Sequence, residues 1–410
     1  MAHETPARTV IAGGGIAALE AALALADLAG ARTELTLISP EPEFSYRPMT
    51  VEEPFSHQPA ETRELAPFMD GLGGRFVRAA LESVDVGGHQ VALAGGDRLD
   101  YEHLIVCVGA RAVGALQNAQ TFRVVGEPLA IDAVIDTALG DASELLAFIV
   151  PQGATWSLPI YELAMMTRRR AEETGRERLR IAVVTPESVP LALFGTIPSQ
   201  AVADLLESRA IEFVGDSRAA DEGDGIVLAP GNRPLEAGAA VALPAIEGWR
   251  IRGLPQDESG FIPIDDHARV VGAEDVYAAG DGTNFPIKHG GLGTQQADAA
   301  ASAIAARLGA EVEPEPFHPV LRGQLIVGAE SLNLRHDITG GHGEGTVSLD
   351  YLWWPPHKVS GKYLAPFLAG AAFHGEPVPP AEPLDLELAM PREWHSEPMA
   401  LDPYGPIDGS

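Results

Sequence analysis

Cysteine is nearly missing from this chain of 410 residues: there is one, Cys107. A lone cysteine excludes an intramolecular disulfide and any C-x-x-C pair, and it fits a reducing, cytoplasmic compartment. It lies in the apolar run Leu104–Val108, where it reads as an inert strand residue and not as a nucleophile. Positive charge is scarce as well. Lysine and arginine total 28 against 58 acidic residues, a formal charge of −30. That balance argues against nucleic acid as a partner and against passive adsorption to an anionic membrane. Only three lysines occur, Lys288, Lys358 and Lys362. No apolar run approaches the ~18 residues of a spanning helix. The polar start Met1–Arg8 leads straight into an apolar stretch and leaves no room for a signal peptide. The histidines have no metal-ligand spacing, so no metal site is expected.

What is present is organised around Thr9–Ala12, Gly13-Gly14-Gly15-Ile16-Ala17-Ala18 and the Ala/Leu-rich run after it. This is strand, glycine turn and helix with the spacing G-x-G-x-x-A. Gly13 takes the tight turn, Gly15 lets the backbone approach a pyrophosphate, and Ala18 lets the helix lie close to the strand. The helix N-terminus offers free N–H groups to the phosphates. Glu34–Ser39 reads as the second parallel strand. An acid at its end would hold a ribose hydroxyl; here Ser39 stands at that point and Glu41 two residues on. Residues 40–70 read as an ordered excursion, with Tyr46 and Arg47 in the loop that lies over a cofactor in such folds. Arg47 is a candidate contact to phosphate or substrate. Short strands follow at 75–86 and 90–93, then a buried strand, Tyr101–Gly109, whose final glycine can bring the backbone against the bound cofactor.

A second β-α-β unit begins near Glu144, with strands 145–150 and 179–185 and helices from about Tyr161 to Thr174 and over 197–208. Its turn carries Gly153 alone where a second glycine fingerprint belongs. Residues 215–245 read as irregular, 260–265 as a short strand or hairpin arm and 275–281 as a strand closing on Gly280-Asp281. An Ala-rich helix runs from Gly291 to Gly309, with further β structure over 310–350. Residues 351–374 are aromatic and mildly basic, but Pro355-Pro356 breaks any helix. Packing within the protein or between two subunits of a homodimer is favoured there over membrane contact. The stretch 375–410 is Pro-rich and acidic, the composition of a disordered tail.

Three stretches in this order, Gly13–Ala18, the strand 101–110 and 275–281, resemble the FAD motifs of the pyridine nucleotide-disulfide oxidoreductase superfamily over roughly residues 8–310. The resemblance implies FAD, with Asp281 bonding the ribityl chain and Gly280 permitting close approach. Within the superfamily the sequence is most similar to sulfide:quinone oxidoreductases and, further off, to type II NADH dehydrogenases. Trp156 falls where the former place a catalytic cysteine. With no cysteine pair available, the persulfide chemistry of those enzymes is not expected here.

The resemblance also points to Lys288 and the helix start at Gly291 as the positive groups beside the flavin. It points to Glu162 as a proton-transferring carboxylate, the plain alternative being an acid that complements a helix dipole. Thr294, Gln295 and Gln296 match the region that lines the quinone pocket in those relatives.

The expected fold is α/β with two Rossmann-like domains. Residues 1–112 and 245–310 would form a discontinuous FAD domain, 113–244 an NAD(P)-binding-like domain, and 311–410 a C-terminal region. The expected activity is an FAD-dependent oxidoreductase passing two electrons without a cysteine relay, between a small-molecule donor, NAD(P)H included, and a quinone or soluble carrier. An electron-transfer partner of a small redox protein and a non-catalytic FAD-binding module are the alternatives.

Overall fold

Strands that are apolar along their whole length belong in parallel sheets covered on both faces, and two such sheets organise the computed structural model. It describes residues 5–56, 58–122, 128–141, 145–328, 331–338 and 344–370. The first sheet runs in the order Val276–Ala278, His103–Val106, Ala7–Ala12, Thr33–Ser39, Arg75–Arg78, every pair parallel. The second runs Gln120–Thr121, Ala239–Ala242, Leu145–Ile149, Arg180–Val184, Ile211–Val214, also parallel throughout. These are the Rossmann-like sheets expected from the sequence.

Eight α-helices occur among the described residues: α1 Ile16–Leu28, α2 Glu53–Ser56, α3 Leu65–Gly71, α4 Pro128–Asp141, α5 Leu158–Glu173, α6 Thr196–Ser208, α7 Gly290–Arg307 and α8 Leu364–Leu368. Alanine and glycine dominate where α1 meets α7, and their small size sets how closely the helices lie. A Cβ on Gly293 would stand 3.1 Å from the Gly280 Cα, and one on Gly280 would stand 3.2 Å from the Ala17 Cβ. The starts of α1 and α7 thereby come together beside the end of the Val276–Ala278 strand.

Three readings of the sequence need correction. Residues 215–245 are not irregular: Arg218–Glu222, Gly225–Ala229 and Arg233–Pro234 form an antiparallel sheet, and Ala239–Ala242 lies inside the second parallel sheet. Alanine has low strand propensity, but a strand enclosed on both faces tolerates it, and Ala240, Val241 and Ala242 are buried. The segment 260–265 makes only isolated bridges, Ile262 to Thr283 and Ile264 to Val270. Helix α5 starts at Leu158, three residues before Tyr161, with Pro159 in its first turn, where proline's missing N–H costs nothing.

Beyond α7, Val320–Ile326, Ser331–Asp337 and Thr346–Ser348 form an antiparallel sheet. The Gln295 amide fixes it to α7, accepting from the Val320 N–H at 2.9 Å and donating to its carbonyl at 3.0 Å.

Residues 353–368 then return as a strap that reaches Tyr46 and α1. The Trp353 indole donates to the His357 carbonyl at 2.8 Å. The Val359 N–H donates to the Tyr46 hydroxyl at 2.8 Å, and α8 packs on α1. Trp353, Lys358, Val359, Leu364 and Ala365 are buried, whereas Tyr351 and Trp354 are exposed. No described helix is long and apolar enough to cross a membrane. The stretch 375–410, expected as a disordered tail, lies outside the described residues.

Candidate functional site

The glycine turn behaves as its spacing requires. Gly13 has φ of +130°, and a Cβ there would stand 2.1 Å from the Cys107 carbonyl oxygen. Gly13 donates its N–H to the Ile38 carbonyl at 2.8 Å, which ties the turn to the second strand. Around Gly15, the residue before α1, no atom lies within 4 Å of a built Cβ. Open space therefore faces the N–H groups of the first helical turn. Ala18, the third residue of α1, is fully buried.

Ser39 is buried at the end of the second strand, and its Oγ would stand 2.7 Å from a Cβ on Gly14. Its hydroxyl accepts the Glu41 N–H at 3.2 Å. Glu41 itself is exposed. Ser39, not the acid, is the side chain placed against the turn. Gly109 has φ of +68° and nothing within 4 Å of a built Cβ.

Asp281 closes the Val276–Ala278 strand behind Gly280, which has φ of +85°. The Gly280 N–H donates to the Gln296 side chain at 2.8 Å, so α7 positions this turn directly. Among the described residues no group donates a hydrogen bond to the Asp281 carboxylate. Burial raises its pKa, opposed by the charges of Lys288 and Arg47. A half-buried carboxylate without a donor, beside two helix N-termini and a cradle that Cβ atoms would fill, fits the hydroxyl-bearing chain of a dinucleotide. Arg47 is exposed and its charge reaches Asp281.

Lys288 is buried. Its Nζ donates to the Thr283 carbonyl and lies 3.8 Å from the centroid of the Phe261 ring. Burial lowers its pKa to about 8, with Asp281 and Asp257 opposing the shift. The ammonium thus acts on Asp281 through its field. Gly291 is the second residue of α7, two residues before Gly293.

Glu162 is fully buried and both its oxygens are engaged. Lys358 Nζ donates to them at 2.7 and 2.8 Å, and the Ile326 N–H donates to Oε1 at 3.0 Å. With α5 beginning at Leu158, Glu162 lies beyond the first turn, so the helix-dipole account fails. Its counter-charge is Lys358, a lysine that the sequence reading left in the aromatic segment without a partner.

Trp156 packs against the His289 ring at a tilt, centroids 4.4 Å apart, and meets Phe194 edge-on at 5.6 Å. The position expected from the resemblance to hold a thiol is filled by packed aromatic rings. Cys107 follows the His103–Val106 strand of the first sheet, buried, with its thiol pushed up to about 12 by burial.

Thr294, Gln295 and Gln296 serve the scaffold. Thr294 Oγ1 donates to the Gly291 carbonyl at 2.9 Å, Gln295 holds Val320, and Gln296 holds Gly280.

Sequence reasoning missed Glu187. It follows the Arg180–Val184 strand at the place of a ribose-binding acid, yet it is buried. It accepts from Ser157 at 3.0 Å, Tyr161 at 2.7 Å and Thr185 at 3.1 Å. One group of side chains near enough to share a metal, Asp265, Asp266 and His267, also went unread. Its Asp265 Oδ1 accepts the N–H groups of His267 and Arg269 at 2.9 and 2.8 Å, as a turn demands.

The family model "pyridine nucleotide-disulphide oxidoreductase" matches residues 7–132. The sulfide-quinone reductase of Aquifex aeolicus (strain VF5) is 23% identical over 223 residues, 50% of this chain and 50% of the relative. The chain thus aligns with half the length of that curated relative. The crystal structure of the sulfide:quinone oxidoreductase from Aquifex aeolicus superposes with a TM-score of 0.76 at 18% identity, covering 83% of this chain and 86% of the other. A ferredoxin reductase from Rhodopseudomonas palustris superposes with a TM-score of 0.60 at 22% identity, covering 80% and 81%. At such identities the two superpositions carry the fold. Residues 7–132 thus match the pyridine nucleotide-disulphide oxidoreductase model, and the superpositions extend a similar fold over most of the remainder.

Proposed function

We propose that the protein is an FAD-dependent oxidoreductase that passes two electrons between a small-molecule donor and a quinone or soluble carrier without a cysteine relay. The observation that carries this reading is Asp281, a carboxylate with no protein donor at the point where the starts of α1 and α7 converge. Residues 1–112 and 245–310 would form the FAD domain; the first sheet draws strands from both pieces. Residues 113–244 would form the inserted nucleotide-like domain, with 311–410 as the C-terminal region.

In this reading Gly13–Gly15 and the first turn of α1 take the pyrophosphate, Ser39 lies within reach of the adenosine ribose, and Asp281 accepts from the ribityl hydroxyls. Bound FAD supplies a two-electron carrier that donor and acceptor reach in turn. Lys288 and the start of α7 place positive potential beside it and favour its anionic reduced form. The Trp156–His289 pair closes the side on which relatives of the sulfide-oxidising class use thiols, and Cys107 is too buried to replace them. Glu162 is a proton-transfer candidate only through Lys358, its bonded partner. In the inserted domain the Glu187 carboxylate is already taken by three hydroxyls. This supports a small organic donor over a pyridine nucleotide.

An anaerobic visible spectrum of the purified protein, before and after NADH and then NADPH, tests the reading. A flavin band unmoved by either nucleotide is expected. Rapid bleaching makes the protein a pyridine-nucleotide reductase, and a protein that neither carries nor takes up FAD ends the proposal.

A further inference from the structure

Arg322 and Arg335 stand directly opposite each other in the register of the antiparallel strands Val320–Ile326 and Ser331–Asp337. Directly opposed side chains share a face of the sheet, and like charges in that relation repel. Among the described residues neither guanidinium makes a hydrogen bond or an ion pair. Other arginines are treated differently. Arg8, Arg111, Arg170, Arg252 and Arg307 each hold a carboxylate. The buried Arg168 donates to the carbonyls of Glu177, Leu179 and Ala210. In a chain with 58 acidic residues against 28 basic ones, two facing arginines without a bonded carboxylate point to an anion from outside.

Alternation along the strand fixes where the pair points. Leu321, Gly323 and Leu325 are buried on one face. A Cβ on Gly323 would stand 2.5 Å from the Phe194 ring and 3.0 Å from the Leu158 side chain, so that face is closed. Arg322 and Gln324 occupy the other face. Arg322 and Arg335 are half-buried, and their nitrogens are not sealed from solvent. Burial, with the Arg335 charge adding to it, lowers the Arg322 pKa to about 10, and Asp337 opposes the shift. The cation has thus lost hydration that no bonded anion replaces. Its charge reaches the His289 ring just before α7, and the Gln295 bonds to Val320 hold the strand beside that helix. Gln324, about 7 Å further along the same face, lines a cavity of about 410 Å³ with Tyr46, His357 and Lys358. Glu52 and Glu61 line it too, and Lys358 is already bonded to Glu162. A negative group is therefore favoured at the arginines and not within the cavity.

We infer that Arg322 and Arg335 form an oxyanion subsite, and that the small molecule exchanging electrons with the flavin carries an oxyanion head, such as a carboxylate, that bridges the two guanidiniums. A guanidinium presents its N–H donors in a planar fork that matches such a head. One anion between the two arginines turns a repulsion into two attractions. The strand holds the head while the body of the molecule lies in the neighbouring cavity. The inference rests on the FAD reading above and gives its small-molecule substrate a chemical class.

The test titrates succinate, with succinamide as its neutral counterpart, into the purified protein by calorimetry at constant ionic strength. Arg322→Gln, Arg335→Gln and Arg322→Lys accompany the wild type. Succinate should bind the wild type and succinamide should not. Losing hydrogen bonds to a charged group should weaken succinate binding roughly 10- to 100-fold in R322Q and R335Q. R322K keeps the charge without the fork and should fall between. Melting of the anion-free chain separates this from a structural role. Removing one of two like charges should leave the melting temperature of R322Q unchanged or raise it, whereas a structural arginine would lower it. Re-oxidation of the photoreduced flavin by naphthoquinone and by naphthoquinone sulfonate links the subsite to turnover. The ratio of their rate constants, sulfonate over neutral, should fall roughly tenfold or more in R322Q. Succinate affinity equal in all four proteins, or a wild type that prefers neither probe, overturns the subsite. An unchanged rate ratio with weakened succinate binding overturns its link to the substrate. A protein that binds succinate through the arginines but takes up no FAD overturns the cofactor reading and leaves the subsite standing.

Discussion

Lys358 Nζ lies 2.7 and 2.8 Å from the two carboxylate oxygens of Glu162, both residues buried and 196 positions apart in the chain. The pair fastens the strap to α5. Burial raises the Glu162 pKa, and the Lys358 charge opposes that shift. Removing one partner would leave the other as an uncompensated charge, a loss of about 3–5 kcal/mol. K358M should therefore be strongly destabilised in urea unfolding. The double variant K358M/E162L should recover most of the loss, because a buried pair replaced by apolar groups of similar volume is often neutral. Equal destabilisation in single and double variants would contradict the pairing.

The strap's other anchor is Glu20, fully buried in α1 and facing Asp298 of α7. Burial raises Glu20 from the ordinary 4.5 to about 7, against the N–H groups of Tyr363, Leu364 and Lys362 and the Asp298 carboxyl, which lower it. Asp298 is raised well above its usual range by burial and by Glu20, with Lys362 opposing and Glu315 adding. The two acids hold a proton that the unfolded chain releases near pH 4.5. Between about pH 4.5 and 7 the folded state binds more protons, so this contribution is full at the acid end and is lost as pH rises. Each proton held in this way contributes a slope of at most about 1.4 kcal/mol per pH unit. Glu20→Gln should flatten the stability profile in that window, measured by urea midpoints at stepped pH. A wild-type profile that rises with pH there would contradict the shared proton.

What could be read from the sequence was what is local in it. Gly13 to Ala18 and Gly280-Asp281 are contiguous turns whose backbone demands show in a few residues, and Gly13 and Gly280 take the positive φ that such turns need. Glu20 also left a sign, as the only charged residue between Ile16 and Ala26, yet nothing nearby names the N–H groups it accepts from. The Lys358–Glu162 pair depends on how distant segments pack. Ala239–Ala242 was misread because small residues carry no strand pattern, although a doubly covered strand needs none.

The Asp281 carboxylate costs the empty fold desolvation without a bond in return. Asp281→Asn should therefore raise the melting temperature of the flavin-free protein. Its affinity for FAD should fall by roughly 10- to 100-fold, the range for a hydrogen bond to a charged group of about 1.5–3 kcal/mol. Flavin titration and thermal melting of the same preparation separate the two effects. A variant that gains no stability and loses no affinity would remove Asp281 from the site.

Trp156→Cys restores a thiol at the position where the sulfide-oxidising relatives carry one, but it does not restore the chemistry. A persulfide relay needs a second thiol within reach, and the only other one, Cys107, is buried behind Gly13 with its pKa near 12. Neither the wild type nor W156C should show flavin bleaching on anaerobic addition of sulfide. W156C should also release the His289 ring from the indole, whose centroid lies 4.4 Å away. Sulfide-dependent bleaching of the wild type would mean that electrons enter without thiols, and the exclusion of sulfide as a donor would fall. Bleaching in W156C alone would show that a single thiol suffices on this scaffold.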